Sequence, residues 1–141
     1  MSSMVTIEFL FNFISRYKLA VMSSVTTNNT SESALVGIAA TEDLKIIFDT
    51  VTDSRKYQNL LQNPSISFVI GWEEERTVQY EGVARIPVGN ELAELKKIYF
   101  SVFPEGVERE QGKNIVYFCV EPKWIRYSDF DLPQRIEEMK F

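Results

Sequence analysis

Apolar residues recur at helical spacing in the opening segment, where Met4, Ile7, Leu10, Phe11, Ile14 and Tyr17 fall on one face. An amphipathic helix packed over a sheet is expected there. Leu19 to Thr26 (LAVMSSVT) and Ala34 to Thr41 (ALVGIAAT) are β-like runs separated by the polar turn formers TNNTSES, which together predict a hairpin. Lys45 to Thr50 follows the short turn Glu42-Asp43 as a third strand. Asp53 or Ser54 is positioned to cap a short helix carrying Tyr57, Leu60 and Leu61. Asn63-Pro64 ends that helix, because proline disfavours helical geometry in the residue before it.

Ser65 to Trp72 and Thr77 to Pro87 are strand-like and flank an acidic turn, Glu73 to Glu75, with Gly82 as a possible bulge. Leu92, Leu95, Ile98, Tyr99, Val102 and Phe103 describe a second amphipathic helix, stopped by Pro104 and Gly106. Asn114 to Val120 and Trp124 to Tyr127 are again strands, read as broken by Glu121-Pro122, and the closing QRIEEMKF suits either a strand or a short helix. With no internal repeat and no long linker, residues 1–141 form a single domain. Six to seven short strands with a few helices predict a mainly β (α+β) antiparallel barrel with helices packed outside.

The 141 residues are long enough to bury a core without metals or disulfides. Twenty acids against 15 bases give a formal charge of -5. No lysine or arginine run is dense enough to neutralise a row of phosphates, so a nucleic-acid function is disfavoured and any anion site must be local. Cys119 is the single cysteine and lies inside the apolar run IVYFCV, where a buried hydrophobe is expected and not a nucleophile. The stretch from Val5 to Ile14, interrupted by Glu8 and Asn12, reads as a helix and as neither a signal peptide nor a membrane span, which implies a cytoplasmic protein. Histidine is absent. That removes histidine-based nucleophile systems, histidine-containing zinc sites and a proximal histidine for haem, so a cofactor is expected to bring any chemistry.

From Phe48 to Lys56 (FDTVTDSRK) a strand ends, a turn follows and a helix begins with two adjacent cations. Free N–H groups at a helix start favour an anion, Thr50 and Ser54 can add hydroxyl donors, and Arg55 and Lys56 can add charge-assisted bonds. An ordinary capped helix with exposed basic residues explains the same pattern, and Asp53 would compete for the same donors. Trp72, Tyr80, Tyr99, Trp124 and Tyr127 are candidates for a surface that stacks on a ring system, or for core. Tyr127, beside Arg126, is the one expected at a site edge.

The ordered combination LAVMSSV, ALVGIAATEDLKIIFDTVTDSRKYQNLLQNPSISFVI, ERTVQYEGVARI and VYFCVEPKWIRYSD resembles the pyridoxamine 5'-phosphate oxidase-like family of FMN-binding split barrels. The most specific part is FxT followed by SRK, a short helix and NP. The resemblance implies a split barrel that forms a homodimer with two FMN molecules at the interface, each touched by both chains. It also implies that Val36, Gly37 and Ile38 run beside the flavin ring, and that Phe48, Asp49 and Thr50 contribute backbone and hydroxyl contacts. Ser54, Arg55 and Lys56 would hold the phosphate. Thr77 would reach the flavin from its strand, and Tyr127 would occupy the neighbourhood where the oxidase proper places a tryptophan.

The departures bear on substrate. Ala34 and Ala39 stand where the oxidase proper has an arginine and a lysine, Phe103 and Val107 replace an arginine and a serine for the substrate phosphate, and Arg135-Ile136-Glu137 lacks the Arg-x-His pair. Pyridoxamine 5'-phosphate is therefore not the expected substrate, because burying its phosphate without those cations would cost several kcal/mol. A flavin oxidoreductase leads. A non-catalytic flavin-binding dimer, a deazaflavin-dependent reductase and a cofactor-free scaffold remain open, and haem degradation is disfavoured by the missing histidine.

Overall fold

A computed structural model describes residues 5–131 and 133–141. Helix α1 spans Ile7–Ile14 and starts on Thr6, whose hydroxyl accepts the Phe9 amide. Its buried residues are Leu10, Phe13 and Ile14, whereas Ile7 is exposed. The apolar face is thus turned from the expected one towards Phe13, because Phe9 and Phe13 both pack edge-on against Tyr127, at 4.9 and 5.5 Å between ring centres. Met4, counted on this face, lies outside the described residues.

Strands β1 (Leu19–Val25) and β2 (Ser31–Gly37) form the expected hairpin, in register Met22 to Ala34. β2 begins three residues before the predicted boundary. Its turn needs only residues 26–30, with Asn29 at φ 62°, a left-handed position asparagine tolerates. Ser31, Glu32 and Ser33 are consequently strand residues, and the Ser23 and Ser33 hydroxyls lie 2.9 Å apart across the pair.

The remaining elements are β3 (Ala39–Ala40), β4 (Ile46–Val51), α2 (Arg55–Gln62), β5 (Ser65–Ile70), a 3-10 turn at Glu73–Glu75, β6 (Arg76–Arg85), α3 (Gly89–Val102), α4 (Gly106–Arg109), β7 (Ile115–Asp129) and β8 (Arg135–Lys140). All strand pairs are antiparallel, in the order β2-β1-β5-β6-β7-β4-β3 with β8 on β7. β2 and β3 therefore stand at opposite ends of the sheet although only Ile38 separates them in sequence. The sheet must curl until its ends meet, which produces a split barrel.

Glu121-Pro122 does not break a strand, contrary to expectation. β7 runs through it, pairing with β4 up to Val120 and with β8 from Trp124. Pro122 falls where β7 changes partners on that side, so its missing N–H removes no bond from either ladder. On the other side it faces Gly82, where the register with β6 shifts, which is the anticipated bulge.

Phe48, Phe68, Tyr80 and Phe118 fill the barrel, with Phe48 stacked on Phe118 at 5.4 Å. The Tyr80 hydroxyl donates to the Leu44 carbonyl at 2.6 Å, and burial pushes its pKa well above the usual tyrosine value. A second, smaller core forms outside the barrel, where Leu95 and Tyr99 of α3 cover Ala39, Ile47, Tyr117 and Cys119. Burial there pushes the Cys119 thiol up to about 11, so it is a packing residue as expected.

A Cβ at Gly82 would lie 2.4 Å from the Glu121 carbonyl oxygen and 2.7 Å from Val120 Cγ1. The first of these is backbone and cannot step aside. Gly82→Ala should therefore lower stability by about 1–3 kcal/mol in urea unfolding, and a change below about 0.5 kcal/mol would show that the bulge is slack.

Candidate functional site

The strand β4 alternates its side chains, sending Phe48 into the barrel core and Asp49 outwards. Asp49 meets Arg109 of α4 at 3.6 Å, and the Tyr99 hydroxyl completes this group. Thr50 turns back inside and is buried, its hydroxyl 2.8 Å from that of Ser54. The chain then turns, with the Ser54 amide donating to the Val51 carbonyl, and α2 begins. Ser54 is the cap: its hydroxyl accepts the Tyr57 amide at 3.2 Å. Asp53 stays exposed, so the competitor for the helix-start donors is Ser54 itself.

The two cations that follow border a cleft of about 230 Å³ lined by Met22, Ser24, Glu32, Ala34, Arg55 and Lys56, with Ser33 at its rim. The cleft therefore lies between β1, β2 and the start of α2. Lys56 forms no salt bridge among the described residues. Arg55 donates from Nη1 to Glu32 Oε2 at 2.8 Å. The other Glu32 oxygen accepts from Asn59 Nδ2 at 2.9 Å, and Asn59 also donates to the buried Ser24 hydroxyl at 3.0 Å.

Glu32, Asn59 and Ser24 were not singled out by the sequence. Glu32 was read as part of a polar turn, and only the early start of β2 aims it along the same strand face as Ala34 and Val36. Asn59 is a polar residue about one turn from either end of the eight-residue α2, but nothing in a single sequence says which face of that helix is buried.

Val36 and Ile38 are buried in the barrel core, so their side chains are closed to a ligand. Gly37 lies between them beneath the ring of Phe103, whose Cζ would be 2.8 Å from an added Cβ. Among the described residues β2 pairs only with β1. The Ile38 amide donates to the Lys18 carbonyl at 2.9 Å, which makes that a hydrogen-bonded pair. Alternation then points the amides and carbonyls of Gly37 and Leu35 to the open edge of β2.

Thr77 and Tyr127 do not line this cleft. Thr77, opposite Ser128 at the start of β6, is half-buried, and its hydroxyl is 3.5 Å from the Ile70 carbonyl. Tyr127, expected at a site edge, is only 2% exposed, because α1 covers it and its hydroxyl donates to Asp129. The structure thus brings Arg55 and Lys56 to one cleft, keeps Thr50 and Ser54 paired with each other in the turn just before it, and leaves Tyr127 in the core. Tyr80 and Tyr99 are core residues too, and the Trp124 indole donates to Glu138 on β8.

Residues 7–129 match the family described as Pyridoxamine 5'-phosphate oxidase. The chain belongs to that family. No curated protein matches the sequence. Among solved structures, a heme binding protein from Mycobacterium smegmatis superposes with a TM-score of 0.83 at 14% identity, covering 99% of this chain and 60% of that one. The chain therefore spans about three-fifths of that neighbour. General Stress Protein 26 from Bacillus anthracis gives 0.74 at 21% identity, covering 98% of this chain and all of that one. A pyridoxamine 5'-phosphate oxidase-related, FMN binding protein from Nostoc punctiforme gives 0.62 at 12% identity, covering 88% and 86%. At these identities the family and its neighbours have the split-barrel fold in common, while the ligands named for the neighbours differ.

Ser54 closes α2 and partners Thr50, so Ser54→Ala should destabilise the protein by about 1 kcal/mol, the usual worth of such a cap. Urea unfolding of the variant measures this, and an unchanged midpoint would mean that water replaces the serine at no cost.

Proposed function

We propose that this chain is an FMN-binding protein that acts as a flavin oxidoreductase in a homodimer, on a substrate other than pyridoxamine 5'-phosphate. The observation that carries the reading is the cleft at the start of α2, where Lys56 is free of acidic partners and Arg55 stands beside it, next to the open edge of β2. This donor set suits a phosphate: two cations, the N-terminal amides of α2, and the Ser54 and Thr50 hydroxyls. In this reading Ser54, Arg55 and Lys56 hold the phosphate. Val36, Gly37 and Ile38 run beside the ring, with the outward main-chain groups of Gly37 facing it, and Phe48, Asp49 and Thr50 line the way between with backbone and hydroxyl. Thr77 joins the site only in a two-chain arrangement.

When bound, FMN supplies an isoalloxazine that accepts and passes on hydride or electrons. The chain's own part is to bind, orient and exclude water. Phe103 supports the choice of another substrate, because its ring packs on Gly37 and lies 5.0 Å from Tyr99 where a second phosphate would need a cation. Arg109, the nearby cation, is already matched by Asp49.

A dimer is supported by an apolar row on the outer sheet face. Leu35, Val21 and Val69 stand directly opposite one another across β2, β1 and β5, at 61%, 36% and 43% exposure. A contiguous exposed row of this kind is a common mark of an interface. A haem reading draws support from the Mycobacterium smegmatis neighbour, but this chain has no histidine and its one thiol is buried and protonated at neutral pH.

Fluorescence titration with FMN and riboflavin tests the phosphate site. Arg55→Ala and Lys56→Ala should each weaken FMN binding by about one to two orders of magnitude, with riboflavin nearly indifferent. Unchanged FMN affinity in the double variant would put the phosphate elsewhere. Reduction of the bound flavin by NADH or NADPH and turnover with an acceptor separate an enzyme from a flavin carrier. In light scattering the wild type should run as a dimer and Leu35→Asp as a monomer.

A further inference from the structure

The cleft contains a carboxylate that a phosphate site does not need. Glu32 projects from β2 into it, and its side chain is only 19% exposed. Both oxygens are engaged, Oε2 by Arg55 at 2.8 Å and Oε1 by Asn59 at 2.9 Å. Asn59 is itself held by the buried Ser24 hydroxyl, so the carboxylate is anchored and not simply the far end of a loose side chain. Two cations against one carboxylate leave the cleft a single formal positive charge, carried by Lys56.

We propose that Glu32 is an internal counter-anion that occupies Arg55 and thereby limits the affinity of the cleft for a phosphate monoester. This inference rests on the phosphate reading of the same cleft. An arginine has five N–H donors, so Glu32 does not block it outright, and holding the guanidinium in place is a small entropic benefit to a ligand. Against this stands repulsion between an anchored carboxylate and a dianionic phosphate on the same guanidinium, damped on the outer side because the Arg55 side chain is 74% exposed but not on the inner side, where Glu32 is 19% exposed. Repulsion outweighs positioning. Glu32 thus lowers the affinity of the cleft for FMN, with the phosphate and Glu32 competing for the charge of Arg55.

The test titrates FMN and riboflavin into wild type, Glu32→Gln, Glu32→Ala and Lys56→Ala at two salt concentrations. Glu32→Gln keeps the shape and can still accept from Arg55, while Glu32→Ala removes the side chain altogether. Both should bind FMN about tenfold more tightly than wild type, with riboflavin unchanged. Their FMN affinity should also fall more steeply with salt, because the cleft then carries two uncompensated cations. Unchanged or weaker FMN binding in the Glu32 variants, with Lys56→Ala still impaired for FMN, would overturn the proposal and leave the phosphate site standing. An equal gain for riboflavin, or loss of the folded state in both Glu32 variants by thermal melting, would also overturn it, since Glu32 would then act on the ring or on the fold. If Lys56→Ala binds FMN as the wild type does, the phosphate reading itself fails and the proposal with it.

Discussion

Only Ile38 separates β2 from β3, yet these strands end opposite edges of one sheet, and that covalent constraint decides most of the architecture. A flat sheet of this order would require its two ends to be many ångströms apart. Twist and coiling bring them together, and the interior so enclosed is filled by Phe48, Phe68, Tyr80 and Phe118. Closure is incomplete because β2 hydrogen-bonds only to β1 among the described residues. The unpaired edge is a liability in an ordinary sheet. Here it lies beside a cleft that combines two cations with a helix start.

The charge distribution follows the same geometry. In a chain of formal charge -5 most arginines are spoken for: Arg85 by Glu91 and Glu121, Arg126 by Glu138, Arg76 by Asp129 and Asp131. These are partly exposed pairs that contribute little stability each. Their effect is selective. Among the described residues they leave Lys56 without a salt bridge at the cleft, while Glu32 pairs with Arg55 there.

Outside the barrel, α3 and α4 shield one face of β3 and β4 and bring Phe103 over Gly37. A Cβ at Gly37 would lie 2.8 Å from Phe103 Cζ, so any larger residue there would have to push the ring aside. The fold is shared with the family and its structural neighbours.

Local sequence determined helices α1, α2 and α3, most strands, a cap at Asp53 or Ser54 and the bulge at Gly82, because these depend on neighbours in sequence, but not α4 or the division of residues 34–41 between β2 and β3. The run SRK and its strand-to-helix turn likewise marked the cleft's cations. What periodicity could not supply was the partner of each strand. Pro122 looked like a break because a proline costs a hydrogen bond only where a neighbouring strand would have accepted it, and the partner switch of β7 occurs at that residue. Tyr127 looked like a surface aromatic because nothing local reveals that Phe9 and Phe13 cover it. Glu32 looked like a turn residue, and only the tertiary structure, by pairing β2 with β1 and laying α2 across them, set its carboxylate against Arg55 and Asn59. Local sequence determines which segments are regular; contacts between distant residues, such as Glu32 with Arg55 and Arg76 with Asp129, determine how the charges are paired.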